Sequence, residues 1–404
     1  MILKDKNILI GVTGSIAIYK TLDLIRLYIK AGASVRVIMS ESAKKFINPI
    51  TFEAISQNKI LDEDSENWDK TSDYNHIDIG KWADILVVAP ASANTINKMA
   101  VGITDNLLLQ TVLAFKKEII VAPAANTNMI ENHITKNSLE RLSSCGFKVL
   151  KTQTKELVCK DVGNGAMLEP IDIFYKTCRE LLKEDFWKDR KVVISGGGTV
   201  EKIDDVRYIS NFSSGKMAKS LALALYYLGA DISLVASRGY ENIPFEVDLK
   251  VVKTTLEFKE DLEKALKSSM VKKPFLFMAA AISDYIPKIK SSGKIKKDSL
   301  GDIWDLKLEK NIDILASLNK QSIISIGFKA EMDRENAKTN AKNMLKNKNL
   351  NGVCLNILDE NNTFGSDTNT VELILNNKSF DFSGEKLDIS LKLLEVLQKE
   401  FTNE

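Results

Sequence analysis

One pattern, occurring twice, constrains this chain most. Asn7 to Thr13 is a run of apolar and β-branched residues broken by Gly11 and Gly14, followed by a helix-period stretch from Ser15 to Ala31 that Gly32 closes. A second strand-like run, Ser34 to Met39, comes next. The same order returns at Lys191 to Gly198, a helix over about Lys216 to Leu228 closed by Gly229, and Asp231 to Ala236. Such β-loop-α-β units join parallel strands by right-handed crossovers, which bring strand C-terminal ends and helix N-termini to one sheet edge, where ligands sit. Further strand-like runs are Asp84 to Ala89, Lys117 to Ala122, Phe147 to Leu150, Phe275 to Ala279, Ser322 to Phe328, Gly352 to Asn356 and Thr370 to Leu375. The fold class is α/β, with two Rossmann-like three-layer domains and mainly parallel sheets. At 404 residues the chain exceeds what one core organises. The charged stretch Arg179 to Lys191 reads as the linker, giving domains 1–185 and 186–404.

Lys plus Arg number 56 against 54 Asp plus Glu, a net +2 that provides no global field for nucleic acid or an anionic membrane. Any anion site is therefore local. The longest apolar runs, Ile85 to Ala93, Ile119 to Ala125 and Phe275 to Ile282, fall far short of the roughly 20 residues that span a bilayer. The N-terminal run lacks a small-residue cleavage site, so a cytoplasmic location is expected. Cys145, Cys159, Cys178 and Cys354 form no C-x-x-C pair, and His76 and His133 are the only histidines, which disfavours a disulfide framework or structural zinc.

In the first half, Gly11-Val-Thr13-Gly14-Ser15 puts glycines, hydroxyls and helix-start N–H groups where a phosphate would sit, although a tight turn alone also asks for glycine. Met39 and Ser40 stand where a dinucleotide site wants a carboxylate, which disfavours NAD. Pro90-Ala91-Ser92-Ala-Asn94-Thr95 and Pro123-Ala-Ala-Asn126 end two further strands with small and amide side chains that suit the edge of a planar ring; Ser92 or Asn94 could equally be a helix cap. His76 is a candidate base near neutral pH, and Cys159 lies in a glycine-punctuated, flap-like segment.

In the second half, Gly196-Gly-Gly198-Thr199 and Arg207-Tyr-Ile-Ser-Asn211-Phe-Ser213-Ser214-Gly215-Lys216 fit neither the Rossmann nor the Walker spacing, yet suit a phosphorylated ligand at a helix start. Ala279-Ala280-Ala281-Ile-Ser-Asp284 closes a strand. Lys294-Ile-Lys296-Lys297 is a basic cluster that is a solvated face unless a triphosphate lies beside it.

Together, Gly11-Val-Thr-Gly-Ser-Ile-Ala-Ile-Tyr-Lys20, His76-Ile-Asp-Ile, Pro90-Ala-Ser-Ala-Asn-Thr, Pro123-Ala-Ala-Asn126 and Cys159-x-Asp-x-Gly-x-Gly resemble the flavin-dependent cysteine decarboxylase family. The second half is similar to phosphopantothenate–cysteine ligases, and both resemblances run in the order of the bacterial bifunctional enzymes of that type, over essentially the whole chain. The first resemblance implies FMN across Gly11, Thr13, Gly14, Ser15, Ser40, Ala91, Ser92, Asn94 and Thr95. It also implies decarboxylation of 4'-phospho-N-pantothenoylcysteine, with His76 assisting oxidation, Asn126 on the substrate carboxylate and Cys159 as proton donor. The second implies that CTP activates 4'-phosphopantothenate as an acyl-cytidylate that cysteine then captures. Asn211 would hold that intermediate and Lys294 would serve the capture. Arg207, Ser213, Ser214, Gly215, Lys216, Ala279, Ala280, Ala281, Asp284, Asn311, Ile312, Asp313, Ile314, Phe328 and Lys348 would contact CTP or substrate. Mg²⁺ is expected on the phosphates with no ligands assigned, and a homo-oligomer with neither nucleic-acid nor membrane partners is expected. The chain departs from the usual pattern at Ala125, Ile130, Lys160, Ala166, Ile312 and Met344.

Overall fold

Continuous apolar runs become strands buried on both faces, as parallel sheets covered by helices require. A computed structural model describes residues 1–67, 75–156, 162–267, 272–296, 302–358, 363 and 365–403. It divides into two compact units, Met1–Leu181 and Leu182–Glu404. The first holds β1 (Asn7–Val12), β2 (Ser34–Met39), β3 (Ile85–Ala91), β4 (Ile119–Pro123) and β5 (Lys148–Val149) in a parallel sheet of order β2-β1-β3-β4-β5. Leu9, Leu86, Val88 and Val121 pack against Ile79, Ile96, Leu108 and Leu142 from helices on one face. The Ile18–Lys30 helix contacts β1, β2 and β3 and buries Ile18, Thr21, Leu24, Ile25 and Tyr28, one helical stripe. Tyr28 Oη and Thr177 Oγ1, 2.6 Å apart, tie that helix to Pro170–Leu182. A separate hairpin, β6 (Gln153–Glu156) with β7 (Val162–Ala166), follows the sheet.

The second unit begins with β8 (Lys191–Gly196), the small hairpin β9 (Val200–Lys202) and β10 (Tyr208–Ser210), then β11 (Asp231–Ala236), β12 (Asp248–Val251) and β13 (Phe275–Met278). A second small hairpin, β14 (Tyr285–Pro287) with β15 (Leu308–Lys310), precedes β16 (Ile324–Glu331), β17 (Gly352–Ile357), β18 (Thr368–Ile374) and β19 (Ser379–Glu385). The main sheet runs β12-β11-β8-β13-β16-β17-β18-β19; it is parallel as far as β17, and β18 and β19 are antiparallel. Phe258, Leu262, Ala341 and Leu345 cover one face. The helices Lys216–Tyr227 and Lys386–Glu400 pack on each other, the first against β8 and β11, the second against β18 and β19. The α/β class with mainly parallel sheets is thus what the sequence pattern predicts. Among the described residues no helix is long and apolar enough to cross a membrane.

The stretch 179–191 is not an exposed linker. Arg179 to Leu182 finish a helix, and Trp187 is 0% exposed, its ring centroid 4.8 Å from Phe186 and 4.9 Å from Phe275. Arg190 donates to the Lys273 carbonyl at 2.8 Å and stacks over Phe186. Dense Lys, Glu and Asp around one tryptophan conceal a core residue. Trp187→Ala should lower the unfolding free energy of the second unit by about 3–5 kcal/mol, read as an earlier midpoint for that unit in denaturant with the first unit unmoved; an unshifted midpoint would restore the linker.

Candidate active sites

In each sheet the chain leaves the first strand to one side and returns on the other, so the ends of β1 and β3, and of β8 and β13, flank a topological switch point. At the first, Thr13 is buried; its Oγ1 donates to the Pro90 carbonyl at 2.7 Å and accepts from Ser92 N at 2.9 Å. The loop after β1 is thereby locked to the loop after β3. Above it opens a cleft of about 1030 Å³, lined among others by Gly14, Ser15, Ser40, Ser92, Asn94, Thr95 and Asn126. The Ile18–Lys30 helix starts at Ala17 without a side-chain cap, and Ile18 N and Lys20 N close its first turn on the Ser15 and Ala17 carbonyls at 3.1 and 3.0 Å. Ser40 Oγ is buried with no protein partner. Ser92 caps the next helix, accepting from Thr95 N at 3.3 Å, so it is both cap and wall. Gly11, Thr13 and Ala91 are buried and do not line the cleft.

Asn126 is exposed, and its side chain caps the following turn, accepting from Asn128 N at 2.9 Å. The β6–β7 hairpin rests on this loop: Ala125 N donates to the Gly165 carbonyl at 3.1 Å, and a Cβ on Gly165 would collide with the Ala125 carbonyl. Cys159 falls in 157–161, which connect those strands in sequence and lie outside the described residues. His76 opens the His76–Trp82 helix, its Nδ1 2.9 Å from Glu66 Oε1, and does not line the cleft. Lys20, which reaches Glu169 at 2.8 Å, and the Lys98–Asp105 pair at 2.5 Å are walls the sequence analysis did not single out as site residues.

At the second switch point, Ala281 N donates to the Gly197 carbonyl at 2.8 Å, Thr199 N to the Ala281 carbonyl at 3.2 Å and Ala280 N to Ser195 Oγ at 3.1 Å. A cleft of about 440 Å³ is lined by Asn211, Ser213 to Lys216, Ala279 to Ala281 and Phe328. Gly215 starts the Lys216–Tyr227 helix at φ +71° with no side-chain cap, and a Cβ there would strike the Tyr240 hydroxyl, itself buried without a partner. Burial pushes the Tyr240 phenol up to about 12. Asn211 Nδ2 donates to the Ile282 carbonyl at 3.1 Å, holding the amide at the rim.

Lys329 and Lys386 also line this cleft and escaped the sequence reading. Lys386 Nζ reaches the Thr368 carbonyl at 2.9 Å and the Ser366 carbonyl, and its value falls below the usual lysine range through burial and the Lys216 ammonium, although Asp367 opposes the shift. In a chain with 56 basic residues, one lysine at a helix start carries no distinguishing mark.

Arg207, Asp284, Lys294, Asn311 to Ile314 and Lys348 do not line the 440 Å³ cleft. Asn311 Nδ2 donates to Thr255 Oγ1 and the Ser283 carbonyl, both at 2.7 Å, so its amide N–H groups are taken by the protein. Asn311 N donates to the Asp284 carbonyl at 2.8 Å. Asp313 pairs with Lys348 at 2.8 Å; burial would raise its carboxyl, but Lys348 and the Ala316 N–H hold it below the usual range. Ile314 is core, and Ile312 is exposed. Among the described residues the carboxylate group close enough to share a metal is Glu41, Asp62 and Asp64, in the first unit, and the Lys44 ammonium occupies it.

Residues 2–182 match the Flavoprotein family and residues 187–400 the DNA/pantothenate metabolism flavoprotein C-terminal domain. The chain is 34% identical to the coenzyme A biosynthesis bifunctional protein CoaBC of Vibrio parahaemolyticus, over 98% of this chain and 99% of that one. Its counterpart in Haemophilus influenzae is 35% identical, over 100% and 98%. Among solved structures, the FMN binding protein AtHal3 is 35% identical with a TM-score of 0.38, over 44% of this chain and 96% of that chain. A flavoprotein half followed by a pantothenate-metabolism half, matched end to end, means that the chain belongs to the family of bifunctional coenzyme A biosynthesis proteins.

Proposed function

We propose that this chain performs two consecutive steps of coenzyme A biosynthesis: CTP-dependent joining of cysteine to 4'-phosphopantothenate in the second half, then FMN-dependent decarboxylation of 4'-phospho-N-pantothenoylcysteine to 4'-phosphopantetheine in the first. One observation carries the reading. A single chain matches both families in order, and each half has its own cleft at a strand-end switch point.

The residues of the first cleft fit FMN: the Gly14–Ser15 turn and the unpartnered Ser40 hydroxyl suit its phosphate, while Ser92, Asn94 and Thr95 suit the rim of its ring. When bound, FMN would take two electrons from the substrate thiol, which makes the neighbouring carboxylate a leaving group, and would return them to the enethiolate after carbon dioxide has left. Asn126 holds that carboxylate, the Cys159 thiol returns a proton to the enethiolate left after carbon dioxide departs, and His76, held by Glu66, manages the proton of the substrate thiol. Because His76 does not line the described cleft, that role asks for a second copy to bring it there, in line with the homo-oligomer expected.

In the second cleft, Lys216, Lys329 and Lys386 suit phosphates. The 4'-phosphopantothenate carboxylate attacks the α-phosphorus of CTP and pyrophosphate leaves. The cysteine amine then attacks the acyl carbon: the C–N bond forms, the C–O bond to CMP breaks and the amine loses a proton. Asn211 holds the acyl-cytidylate, and Lys294 meets charge passing to the departing CMP. Asn311 N and Ile312 N are bonded to the Asp284 carbonyl and Asn311 Oδ1, so this segment would serve CTP through its remaining backbone groups, and Mg²⁺ would supply charge neutralisation at the phosphates.

Three outcomes test the reading. Labelled cysteine with 4'-phosphopantothenate should enter the amide with CTP and not with ATP; equal use of both would remove the nucleotide assignment. Ser40→Ala should weaken flavin retention about tenfold, the value of one charged hydrogen bond, read from flavin absorbance after dialysis. Cys159→Ser should still release carbon dioxide but yield no 4'-phosphopantetheine, and normal product by mass spectrometry would discard the proton-donor role.

A further inference from the structure

The segment carrying Lys294 is clasped on both sides of that residue by one turn, Ile203 to Arg207. Ser291 N donates to the Ile203 carbonyl at 3.0 Å, Gly293 N to Asp205 Oδ2 at 2.7 Å, and Ile295 N to Asp204 Oδ2 at 3.2 Å. Arg207 Nη2 returns a bond to the Ile295 carbonyl at 3.2 Å, and its guanidinium lies 5.0 Å over the Trp304 ring. Lys294 is exposed between the two held neighbours, Gly293 and Ile295.

Asp204 is the member of this clasp that faces both ways. Its Oδ1 accepts from Val206 N at 2.8 Å and Arg207 N at 2.7 Å, which shapes the turn, while Oδ2 takes the Ile295 N–H and lies 3.6 Å from Arg207 Nη1. The residue is 2% exposed, so these bonds face little competition from water. Asp204 is not among the described residues that line the 440 Å³ cleft where the nucleotide phosphates are placed by our reading.

We propose that Asp204 is a positioning residue for Lys294: through the Ile295 N–H it fixes the backbone on which Lys294 stands, and so acts on capture of the acyl-cytidylate by cysteine rather than on its formation. The proposal rests on the reading of Lys294 given above. It also explains why Arg207 stands just ahead of the Asn211 loop without entering the cleft: it secures the same segment.

Asp204→Asn is nearly isosteric and separates the two tasks. The amide oxygen can still accept from Val206 and Arg207, whereas the amide nitrogen, a donor, faces the Ile295 N–H and loses the charge opposite Arg207. Pyrophosphate release in a single turnover without cysteine should stay within about twofold of wild type, and cysteine-dependent amide formation should fall about tenfold or more. Adding Asp204→Asn to Lys294→Gln should slow amide formation no further than Lys294→Gln alone, because both act through one group. Equal loss of both steps, or additive loss in the double variant, would overturn the proposal. Lys294→Gln forming amide at the wild-type rate would instead overturn the reading of Lys294. Should Asp204→Asn unsettle the fold, Asp205→Ala removes the acceptor at the exposed Gly293 end of the same clasp; it should show the same split at about threefold, and an unsplit response there sinks the idea.

Discussion

Each cleft depends on a hydroxyl buried where the chain changes direction across its sheet. Two parallel strands that are adjacent in space but not in sequence end in loops with no reason to stay together, and the gap between those ends is where a ligand must enter. Thr13 closes the gap in the first half by donating to Pro90 and accepting from Ser92; Ser195 and Thr199 do so in the second, Ser195 accepting from Ala280 N and Thr199 Oγ1 accepting from Ser283 N at 3.0 Å. All three are 0–1% exposed. A valine at Thr13 or Thr199, or an alanine at Ser195, would leave buried N–H groups without a partner, which is costlier than losing the bond itself. The hydroxyls therefore fix the floor on which every proposed contact stands.

How legible this was in the sequence follows from the length of each signal. β1, β3, β8 and β13 are dominated by apolar residues and stand out as such, and the loops at their ends are recognisable by glycine, serine and amide residues. The three-residue strands β9, β10, β14 and β15 carry no period long enough to read. β12 reads Asp-Leu-Lys-Val with little burial, and β19 pairs on one side only, so neither needs an apolar run. Yet the β9–β10 and β14–β15 hairpins frame the segment that carries Lys294. What propensity reads least well here is the part held by side-chain-to-backbone bonds, since those depend on which distant residues fold together.

The site residues divide the same way. Ser92, Asn94, Asn126 and Asn211 to Lys216 come directly after strands, and the fold brings them to cleft walls. Asn311 and Arg207 are also polar residues in suggestive loops, but the Asn311 amide donates to Thr255 and Ser283, and the Arg207 guanidinium is turned to the Ile295 carbonyl and Asp204. A sequence shows that an amide or guanidinium is present and not whether the protein has already used it. Met344 sits with its methyl group against Gly327, leaving 2.7 Å to where a Cβ would be, and so contributes packing rather than charge.

Charge is sorted between the halves in a way that the overall balance hides. Of the described residues lining the first cleft, Lys20 and Lys98 are cationic, while Glu41, Glu63 and Asp105 are anionic. Lining the second are Lys216, Lys329 and Lys386, with no carboxylate. A cleft of the first kind cannot hold an anion by field. It must do so with backbone N–H groups and hydroxyls, which bind one phosphate closely and leave the remaining walls free for a ring of low charge. A cleft of the second kind attracts several phosphates at once and stabilises them as a leaving group forms. Its lysines are kept apart by being tied to carbonyls and single carboxylates: Lys216 to Gly365 and Asp367, Lys386 to Ser366 and Thr368, Lys329 to Glu331. A triphosphate would exchange those ties for its own, so the second cleft suits a ligand of several phosphates and the first a ligand with one.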